Sequence, residues 1–469
     1  MIRWRACLFA LLCAVVVPRV SLAQAPGGQA APQVFTLDQA LQYAVDHYPT
    51  VRAALEQENA SAAGVSVARA AYLPRLDSLW QSNIATANNV FGQVLPQSVI
   101  PVLPGPVLPS ASAQHVWGSA TGALFSWEPF DLGLRRATVI GAEAALTRAR
   151  AGEALTRLEV QSAVGGAFLG VLAAERAVTA AQADFDRRDV LGRTVQTLVD
   201  NQLRPGAEAS RAAAERAAAQ TRVIQARQTL ILAQTTLTRV LGVTTGNLTI
   251  DGANLLDELP TGGVGGAGAM TAHPLAQVHQ AAVDTARAQV DVLARTDLPR
   301  LYLQSSVFAR GSGANPSGLF DGSVKGLGLD RTNWAAGVQV LFPNVFDFTS
   351  LRARKAGALA SEHVERALYD EALLTITSQQ QTAAALVQAA RAVAANTPVQ
   401  LTAAEQSEAQ ARARYQAGVA SIVEVADTQN LLTQAEFQDQ LARVDVWRAL
   451  LAEAVALGNL TPFLNLVHP

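Results

Sequence analysis

Hydrophobic positions along the chain follow two different periods, which separate long helical segments from short strands. No proline occurs between residues 131 and 203, and within this segment Val164, Val171, Val178 and Phe185 recur at intervals of seven. A seven-residue repeat of apolar side chains is typical of a helix in a coiled coil. The pattern therefore predicts one helix over 131–203, about 105 Å long at 1.5 Å per residue, which no globular core accommodates.

A second alanine-rich segment predicts another long helix over 349–416. Each long helix is followed by a glycine-containing turn and a shorter return helix, predicted over 207–241 and 419–457. Pro205-Gly206 and Gly418 mark the two turns, because proline and glycine favour the backbone conformations of tight turns. The chain is therefore expected to contain two helical hairpins.

Shorter helices should precede the strands. Thr36 and Gln39 have the spacing of a capping box, in which each side chain satisfies the other residue's free backbone N–H. We expect a helix from there to Ala71 with a break near Pro49, and a corresponding helix beginning at Pro274.

Four segments change to a period of two and are predicted to be strands, over 76–88, 116–127, 301–310 and 334–342. One face of each is apolar or aromatic, as in a barrel strand that faces lipid on one side and water on the other. Trp117 and Trp127 are separated by about 33 Å of strand, enough when tilted to span an outer-membrane apolar band. A soluble β-sandwich edge is the alternative. The aromatic residues expected to form a membrane girdle are Trp80, Trp117, Phe125, Trp127, Trp334 and Phe342.

The sequence also repeats itself. Leu73-Pro74-Arg75-Leu76 recurs 225 positions later as Leu298-Pro299-Arg300-Leu301. Because proline lacks a backbone N–H and disfavours helix in the residue before it, Pro74 and Pro299 are predicted helix-to-strand junctions. We expect two repeats, 24–242 and 271–469, joined by a connector over 243–270, with the turn glycines Gly206 and Gly418 equivalent.

The first residues and the overall charge narrow the class of protein. Residues 1–23 combine early arginines, an apolar core and Ser21-Leu22-Ala23, which is the layout of a secretory signal peptide. Both cysteines, Cys7 and Cys13, lie inside it, and Leu11-Leu12 before Cys13 argues against a lipidated N-terminus. Without that segment the chain is acidic, which disfavours nucleic acid as a partner. Beyond it no run of about 18 apolar residues is evident, so we expect no transmembrane helix.

Two loops and the connector complete the chain. Five prolines lie within residues 90–110, and proline at that density excludes a helix or a central strand, so we predict a long exposed loop. A glycine-rich loop is predicted over 311–330. Residues 263–268 have the spacing of a dinucleotide fingerprint, but no strand precedes them, so we interpret them as part of a flexible connector.

Two motifs carry a family resemblance. Trp127-Glu128-Pro129-Phe130-Asp131-Leu132-Gly133 enters the first long helix, and residues 415–425 contain Tyr-x-x-Gly-x-x-Ser at the second turn. The chain resembles the TolC-like outer-membrane efflux proteins over its whole mature length. The first turn departs from the pattern, since it lacks the tyrosine and is interpreted as carrying an inserted Pro205.

The resemblance implies a mixed α/β membrane protein, in which a trimeric α-barrel of long coiled-coil helices continues into a 12-stranded transmembrane β-barrel, four strands per protomer. An independent count agrees, because four strands cannot close a barrel and an open sheet edge is excluded from lipid. The expected function is a passive conduit from periplasm to exterior, the outer-membrane component of a tripartite efflux or type I secretion system. The implied location is the outer membrane of a Gram-negative-type bacterium, with a long periplasmic extension. The implied partners are further copies of the chain, a periplasmic adaptor protein, an inner-membrane pump (RND, ABC or similar) reached through the adaptor, and outer-membrane lipid.

The helical tips are the expected working parts, since the conduit must close at its periplasmic end. The residues expected to form the gate and the adaptor-docking surface are Arg204, Pro205, Gly206, Ser210, Tyr415, Gly418 and Ser421. Glu405 and Glu408 could form an acidic ring in the trimer, or lie on a solvated helix face paired with Arg412. Pro398 is expected to kink or locally unwind the second long helix, and we hypothesise that it lets the tip swing outward.

No catalytic, cofactor or metal motif was found: the six histidines are scattered, and Glu362-His363-Val364-Glu365 lacks the second histidine of a metalloprotease helix. We therefore expect no enzyme activity, no cofactor and no metal. The alternative functions are a periplasmic coiled-coil adaptor and a soluble scaffold of an export system. The exported cargo cannot be inferred from these residues.

Overall fold

A computed structural model describes residues 34–86, 95, 97–101, 114–243, 248–260, 262–264, 270–313, 324–343 and 347–467. The predicted signal peptide lies outside these residues, as do parts of the connector and of the two predicted loops. The helices are α1 (Leu37–His47), α2 (Pro49–Ala70), α3 (Leu134–Asp200), α4 (Gly206–Leu241), α5 (Pro274–Arg295), α6 (Phe348–Gln416), α7 (Ile422–Leu457) and α8 (Thr461–Val467). The strands are β1 (Val34–Phe35), β2 (Arg75–Thr86), β3 (His115–Phe130), β4 (Thr249–Ile250), β5 (Arg300–Ser312) and β6 (Arg331–Leu341). Short 3₁₀ helices occupy Ala253–Leu256, Met270–Ala272 and Val324–Leu327.

The predicted elements are present, with boundaries set by local hydrogen bonds. The capping box of Thr36 and Gln39 begins α1, and Tyr48 separates α1 from α2. Helix α3 begins at residue 134 rather than 131, because Gly133 is left-handed (φ 95°) and the Asp131 carboxylate accepts hydrogen bonds from the backbone N–H groups of Gly133 and Arg135. Helix α7 begins at residue 422 rather than 419, because Ser421 caps it by accepting a hydrogen bond from the Glu424 N–H.

The sheet is a four-stranded antiparallel layer in the order β2-β3-β5-β6. Directly opposed residues of antiparallel strands project to the same face. Trp80, Thr121, Ala309 and Thr332 form one such row, and Val307 pairs with Trp334 in the next. The apolar faces predicted separately for the four strands are therefore one continuous face. It remains largely exposed: Trp80 is 72% accessible and Trp334 is 78% accessible.

Helix α3 organises the helical part. Near the sheet it packs against α2 and α5, and beyond the middle of the molecule it packs against α4 and α7. At the change-over lies the main core, where Phe168 and Leu172 of α3 pack with Trp447 of α7 and with residues of α1 and α8. The Trp447 ring N–H donates to the Leu255 carbonyl, which fixes the connector against this core.

One helix of the described residues is long and apolar enough to cross a membrane by length and composition. It is α3, in which an 18-residue window has a mean hydropathy of 1.3 and is 39% buried. This window departs from the expectation that no such segment lies beyond residues 1–23. Because α3 also supplies much of the main core, core packing is sufficient to account for its apolar composition.

The two return helices, α4 and α7, end in the same way beside the main core. Gly242 ends α4 in a left-handed conformation and packs against Tyr48 and Pro49, while Gly458 ends α7 in the same conformation beside His273 and Pro274. A Cβ atom at Gly458 would lie 2.7 Å from Cδ of Pro274. This position therefore requires glycine both for its backbone angle (φ 76°) and for space.

We predict that Gly458→Ala lowers the free energy of unfolding by about 2 kcal/mol or more, since strain and overlap add. The measurement is the thermal or denaturant midpoint of the purified protein. Gly357→Ala is the matched control, because nothing lies within 4 Å of its Cβ position inside α6, and it should be neutral or stabilising by up to about 1 kcal/mol. Equal midpoints for both variants would contradict the assignment.

Candidate functional site: the helical tips

The second tip is a tight turn built around Gly418. Gly418 is left-handed (φ 80°), its N–H donates to the Tyr415 carbonyl, and the Val419 N–H donates to the Arg414 carbonyl at 3.0 Å. This pair of bonds is a Schellman motif, which satisfies the last carbonyls of α6. Ser421 then caps α7, so only three residues lie between Gly418 and the first residue of α7.

The first tip has the same geometry with different residues. Gln202 takes the left-handed conformation (φ 61°), and the Leu203 N–H donates to the Leu198 carbonyl at 2.8 Å. Gln202 therefore occupies the place of Gly418, and Pro205, the N-cap of α4, occupies that of Ser421. The expected equivalence of Gly206 with Gly418 is wrong, since Gly206 is the first helical residue of α4. Pro205 is likewise not an insertion but a replacement of the capping serine.

Tyr415 joins the two tips. Its hydroxyl donates to Oε2 of Glu208 on α4 at 2.8 Å, and the Arg204 guanidinium lies 4.8 Å from the centre of its ring. Arg204 also donates to the Tyr415 carbonyl at 3.2 Å and lies 3.8 Å from the Glu208 carboxylate. We call Arg204, Glu208 and Tyr415 the tip lock. Within it, burial together with the hydrogen bond to Glu208 raises the pKa of Tyr415 to about 12, so the phenol stays protonated.

A small apolar cluster supports the tip lock. Tyr415 is 3% exposed and packs with Val195, Ala411 and Val425, which come from α3, α6 and α7. The other predicted tip residues are exposed, on the turns or in the first residues of α4: Pro205, Gly206, Ser210, Gly418 and Ser421. The structure therefore brings together only Arg204 and Tyr415 of the predicted set, and adds Glu208, which sequence reasoning missed. Its position in the first turn of α4, one turn after Arg204, was the available signal.

The two glutamates predicted for an acidic ring have different surroundings. Glu405 is exposed, whereas Glu408 is 5% exposed and lies 3.5 Å from the side-chain amide of Gln429. The alternative of a solvated helix face does not fit Glu408, because its side chain is buried. Pairing with Arg412 does not fit it either, because Glu408 makes no ion pair among the described residues. Glu408, Gln429 and Tyr415 line a cavity of about 520 Å³ between α3 and α6.

Pro398 lies inside an unbroken helix, so the predicted local unwinding is not observed. The neighbouring side chains tie this part of α6 to α7: Thr397 donates to Oδ1 of Asp439 at 2.9 Å, and Gln400 donates to Gln438 at 3.0 Å. The Thr402 hydroxyl donates to the Pro398 carbonyl at 2.9 Å. The bonds of Thr397 and Gln400 thus attach α6 to α7 on both sides of the proline.

A buried ionic network joins the two hairpins between Pro398 and the tips. Asp184 of α3 is fully buried and accepts hydrogen bonds from Arg188, from Arg222 of α4 and from Thr433 of α7. Arg188 also donates to Glu215 at 2.8 Å and to Asn430 at 2.7 Å. We call Asp184, Arg188, Glu215, Arg222, Asn430 and Thr433 the polar clasp. Burial alone would raise the pKa of Asp184, but the hydrogen bonds from Arg222, Thr433 and Arg188 outweigh it and lower this pKa.

The aromatic residues of the sheet lie on one face but at different positions along the strands. Trp117 and Trp127 lie towards the two ends of β3, and Phe342 follows the last residue of β6. Trp80 pairs with Thr121 of β3. Trp334 pairs with Val307, which in turn pairs with Ala123, so both tryptophans lie level with the middle of β3. Trp80 and Trp334 therefore do not lie at the strand ends, where a girdle requires them. Pro74 and Pro299 stand immediately before β2 and β5, as predicted for the junctions.

Comparison with known proteins identifies this arrangement of hairpins and sheet. Residues 269–459 match the outer membrane efflux protein family. The match confirms the resemblance expected from the turn motif and agrees with the predicted outer-membrane location. No curated protein sequence matches the chain.

Solved structures extend the likeness to the fold of nearly the whole chain. The Campylobacter jejuni CmeC outer membrane channel superposes with a TM-score of 0.75 at 15% identity, covering 90% of this chain and 85% of CmeC. The Vibrio cholerae outer membrane protein VceC gives 0.70 at 18% identity, covering 90% and 96%. The open state of the Neisseria gonorrhoeae MtrE outer membrane channel gives 0.68 at 19% identity, covering 90% and 89%. At these identities the comparison establishes the shared fold.

No group of three histidine, cysteine, aspartate or glutamate side chains lies close enough to hold a metal ion within the described residues.

We predict that Arg188→Met lowers the free energy of unfolding by about 2 kcal/mol or more, because it removes the ion-pair partner of Glu215 and leaves the buried Asp184 with the partly exposed Arg222 as its remaining arginine. Since the pKa of Asp184 is lowered, its contribution is present above about pH 4 and is lost as the pH falls. Denaturant midpoints at pH 7 and pH 3.5 measure both effects. Arg211→Met is the control, because Arg211 is exposed on α4 and makes no ion pair among the described residues. A loss no larger than that of the control would show that the polar clasp adds no stability.

Proposed function

We propose that three copies of this chain form an outer-membrane efflux channel, a passive conduit that leads from the periplasm to the exterior and opens at its helical tips. The observation that carries the proposal is the four-stranded sheet, which has one exposed apolar face and, among the described residues, no further strand beyond β2 or β6. The channel fold of the neighbours and the family match support it.

The strand directions allow closure between copies. Along the order β2-β3-β5-β6 the direction alternates, so β6 of one copy can pair antiparallel with β2 of the next. Three copies would give twelve strands, above the roughly eight needed to close an outer-membrane barrel. Closure would pair the backbone groups of both edges, which hydrocarbon requires.

The helices of three copies can likewise form a closed ring that continues from the sheet. At each level one copy contributes four packed helices, α2, α3, α5 and α6 near the sheet and α4, α3, α7 and α6 towards the tips. Three copies would give twelve helices at each level. We infer that the two hairpins arose by duplication. The matching turns and the glycines at positions 242 and 458 support this origin.

A channel of this kind needs partners at its periplasmic end. The tips would dock a periplasmic adaptor protein and, through it, an inner-membrane pump, in a tripartite efflux or type I secretion system. An adaptor or soluble scaffold is the alternative, but a sheet with an exposed apolar face would leave such a protein prone to aggregation.

The tip lock is the proposed gate contact, and the segment below the polar clasp is the part that moves. Opening would break the Tyr415–Glu208 hydrogen bond, so that the end of α6 and the start of α7 separate from α4. Pro398 lies on the sheet side of the polar clasp, but α6 contributes no residue to the clasp, so Pro398 would provide flexibility of α6 alone. Glu405 would contribute an exposed carboxylate to an acidic ring near the entrance, and Glu408 would join it only if opening exposed its buried side chain. The exposed residues of the two turns would contact the adaptor.

We predict that Ala336→Arg prevents assembly into the outer membrane, whereas Ala335→Arg is tolerated. Both residues are exposed alanines in the middle of β6, but they project to opposite faces of the sheet. Arginine on the lipid face costs about 2–4 kcal/mol near the membrane centre, while arginine on the water-filled face costs little.

The measurements are membrane fractionation, trimer migration in mild detergent and ion conductance in planar bilayers. The unmodified chain should fractionate with outer membranes, migrate as a trimer and conduct. A soluble, non-conducting monomer would refute the proposed function. Equal insertion of the two arginine variants would refute the assignment of the faces.

We predict that Tyr415→Phe shifts the gate towards the open state about tenfold or more, because a hydrogen bond to a charged group contributes about 1.5–3 kcal/mol. Single-channel recordings of reconstituted trimers measure the open fraction. Tyr369→Phe is the control on the same helix, since its hydroxyl makes no hydrogen bond among the described residues. An open fraction unchanged from the control would remove Tyr415 from the gate.

A further inference from the structure

The segment between β2 and β3 contains residues that lie on the inner face of the sheet. Val99 and Ile100 are 7% and 3% exposed, and they pack against Ala120 and Phe308. Leu79 and Leu124 complete this cluster. All four sheet residues alternate with the exposed apolar row of Trp80, Thr121 and Val307, so the cluster is on the opposite face. We call residues 97–101 the inner strap.

The sheet has a recess that fits the inner strap. Gly122 pairs with Phe308, and a Cβ atom at Gly122 would lie 2.8 Å from Cβ of Phe308 and 3.3 Å from Cγ1 of Ile100. A side chain at position 122 would occupy the space that Ile100 and Phe308 fill. The absence of a side chain thus allows the strap to approach the strand backbone.

The strap satisfies its own backbone, which allows it to be buried. Oε1 of Gln97 accepts hydrogen bonds from the N–H groups of Val99 and Ile100, and Nε2 of Gln97 donates to the Ile100 carbonyl at 2.8 Å. Buried backbone groups without partners would cost about 1–3 kcal/mol each, so this local bonding removes a penalty that docking would otherwise incur. The expected exposed loop over 90–110 is therefore wrong for these residues.

The strap also lies far from the strand ends that the β2–β3 segment connects. Leu79, which it contacts, precedes the last residue of β2, Thr86, by seven positions. At about 3.3 Å per residue this is about 23 Å along the strand. Next to the strap, a cavity of about 420 Å³ is lined by Ser98, Gln304, Ser306 and Gln339, so the strap covers only part of the inner face.

We propose that the inner strap projects into the lumen of the β-barrel and narrows the outer half of the conduit. This inference rests on the proposed function, because only closure of the sheet makes its inner face a lumen. In a trimer, three straps would line the passage at one level beside polar side chains. They would set an upper limit on the size of solute that leaves, independently of the tip lock at the other end.

Cysteine labelling tests the position of the strap in the full-length protein. In a background with Cys7 and Cys13 replaced, Ser98→Cys should react in intact cells with a small, membrane-impermeant maleimide. It should not react with a maleimide carrying a large polyethylene glycol chain. Ile100→Cys should react with the small reagent at least about tenfold more slowly, because its side chain is buried against Phe308. Rapid reaction of Ser98→Cys with the large reagent, or equal rates at both positions with the small one, would overturn the proposal.

Releasing the strap tests its effect on the passage. Val99→Asp places a charge in the apolar cluster and should detach the strap, whereas Ser98→Asp adds the same charge on the exposed side and is the control. Both are introduced into a Tyr415→Phe background or, if that channel does not open, measured with the adaptor and pump. Higher conductance is expected for Val99→Asp alone. When Val99→Asp is combined with Ser98→Cys, the cysteine is expected to react with the large reagent, which Ser98→Cys without Val99→Asp excludes. If both variants conduct as the channel without them does, the role of the strap is refuted and the proposed channel is not. If the channel without either substitution forms no trimers and does not conduct, the proposed function itself is refuted.

Discussion

The two unpaired edges of the sheet are the constraint on which the rest of the structure depends. Among the described residues, β2 pairs only with β3 and β6 pairs only with β5. In hydrocarbon, each unpaired backbone group costs several kcal/mol, so under the proposed function both edges would have to pair with strands of other copies. Under the same proposal, neighbouring copies would also cover exposed apolar side chains of the helices, such as Ile231 of α4 and Leu374 of α6.

Long alanine-rich helices need specific contacts to fix how they align along one another. Alanine-rich faces slide easily because their contacts are small and similar along the helix. The polar clasp removes this ambiguity, since Asp184 and Arg188 are buried and only one alignment of α3, α4 and α7 satisfies both. The tip lock adds a second, weaker point of alignment. Because Tyr415 and Glu208 come from different hairpins, this contact can break without disrupting either coiled coil.

Much of this arrangement follows from patterns along the chain. The period-two segments gave the correct common face, and the proline junctions and capping box gave nearly correct helix ends. The failures concern contacts between distant residues. The equivalence of Gly206 with Gly418 relied on residue type, whereas the left-handed position is held by Gln202, which any turn prediction disfavours. Similarly, five prolines excluded regular structure over 90–110 but could not show that Val99 and Ile100 pack against Phe308, since tertiary contacts decide burial.

The spacing of the constraints suggests how movement is confined. From the sheet to the polar clasp, α3 is held by the main core and by buried ionic contacts, whose disruption would cost several kcal/mol. Between the clasp and the turns, the described contacts between the hairpins include the small cluster around Val195 and the contacts of the tip lock. A displacement imposed at the turns is therefore accommodated in this last part of the hairpins. The main core and the polar clasp keep the helices aligned with the sheet, so under the proposed function the tips would open without separating the sheet edges.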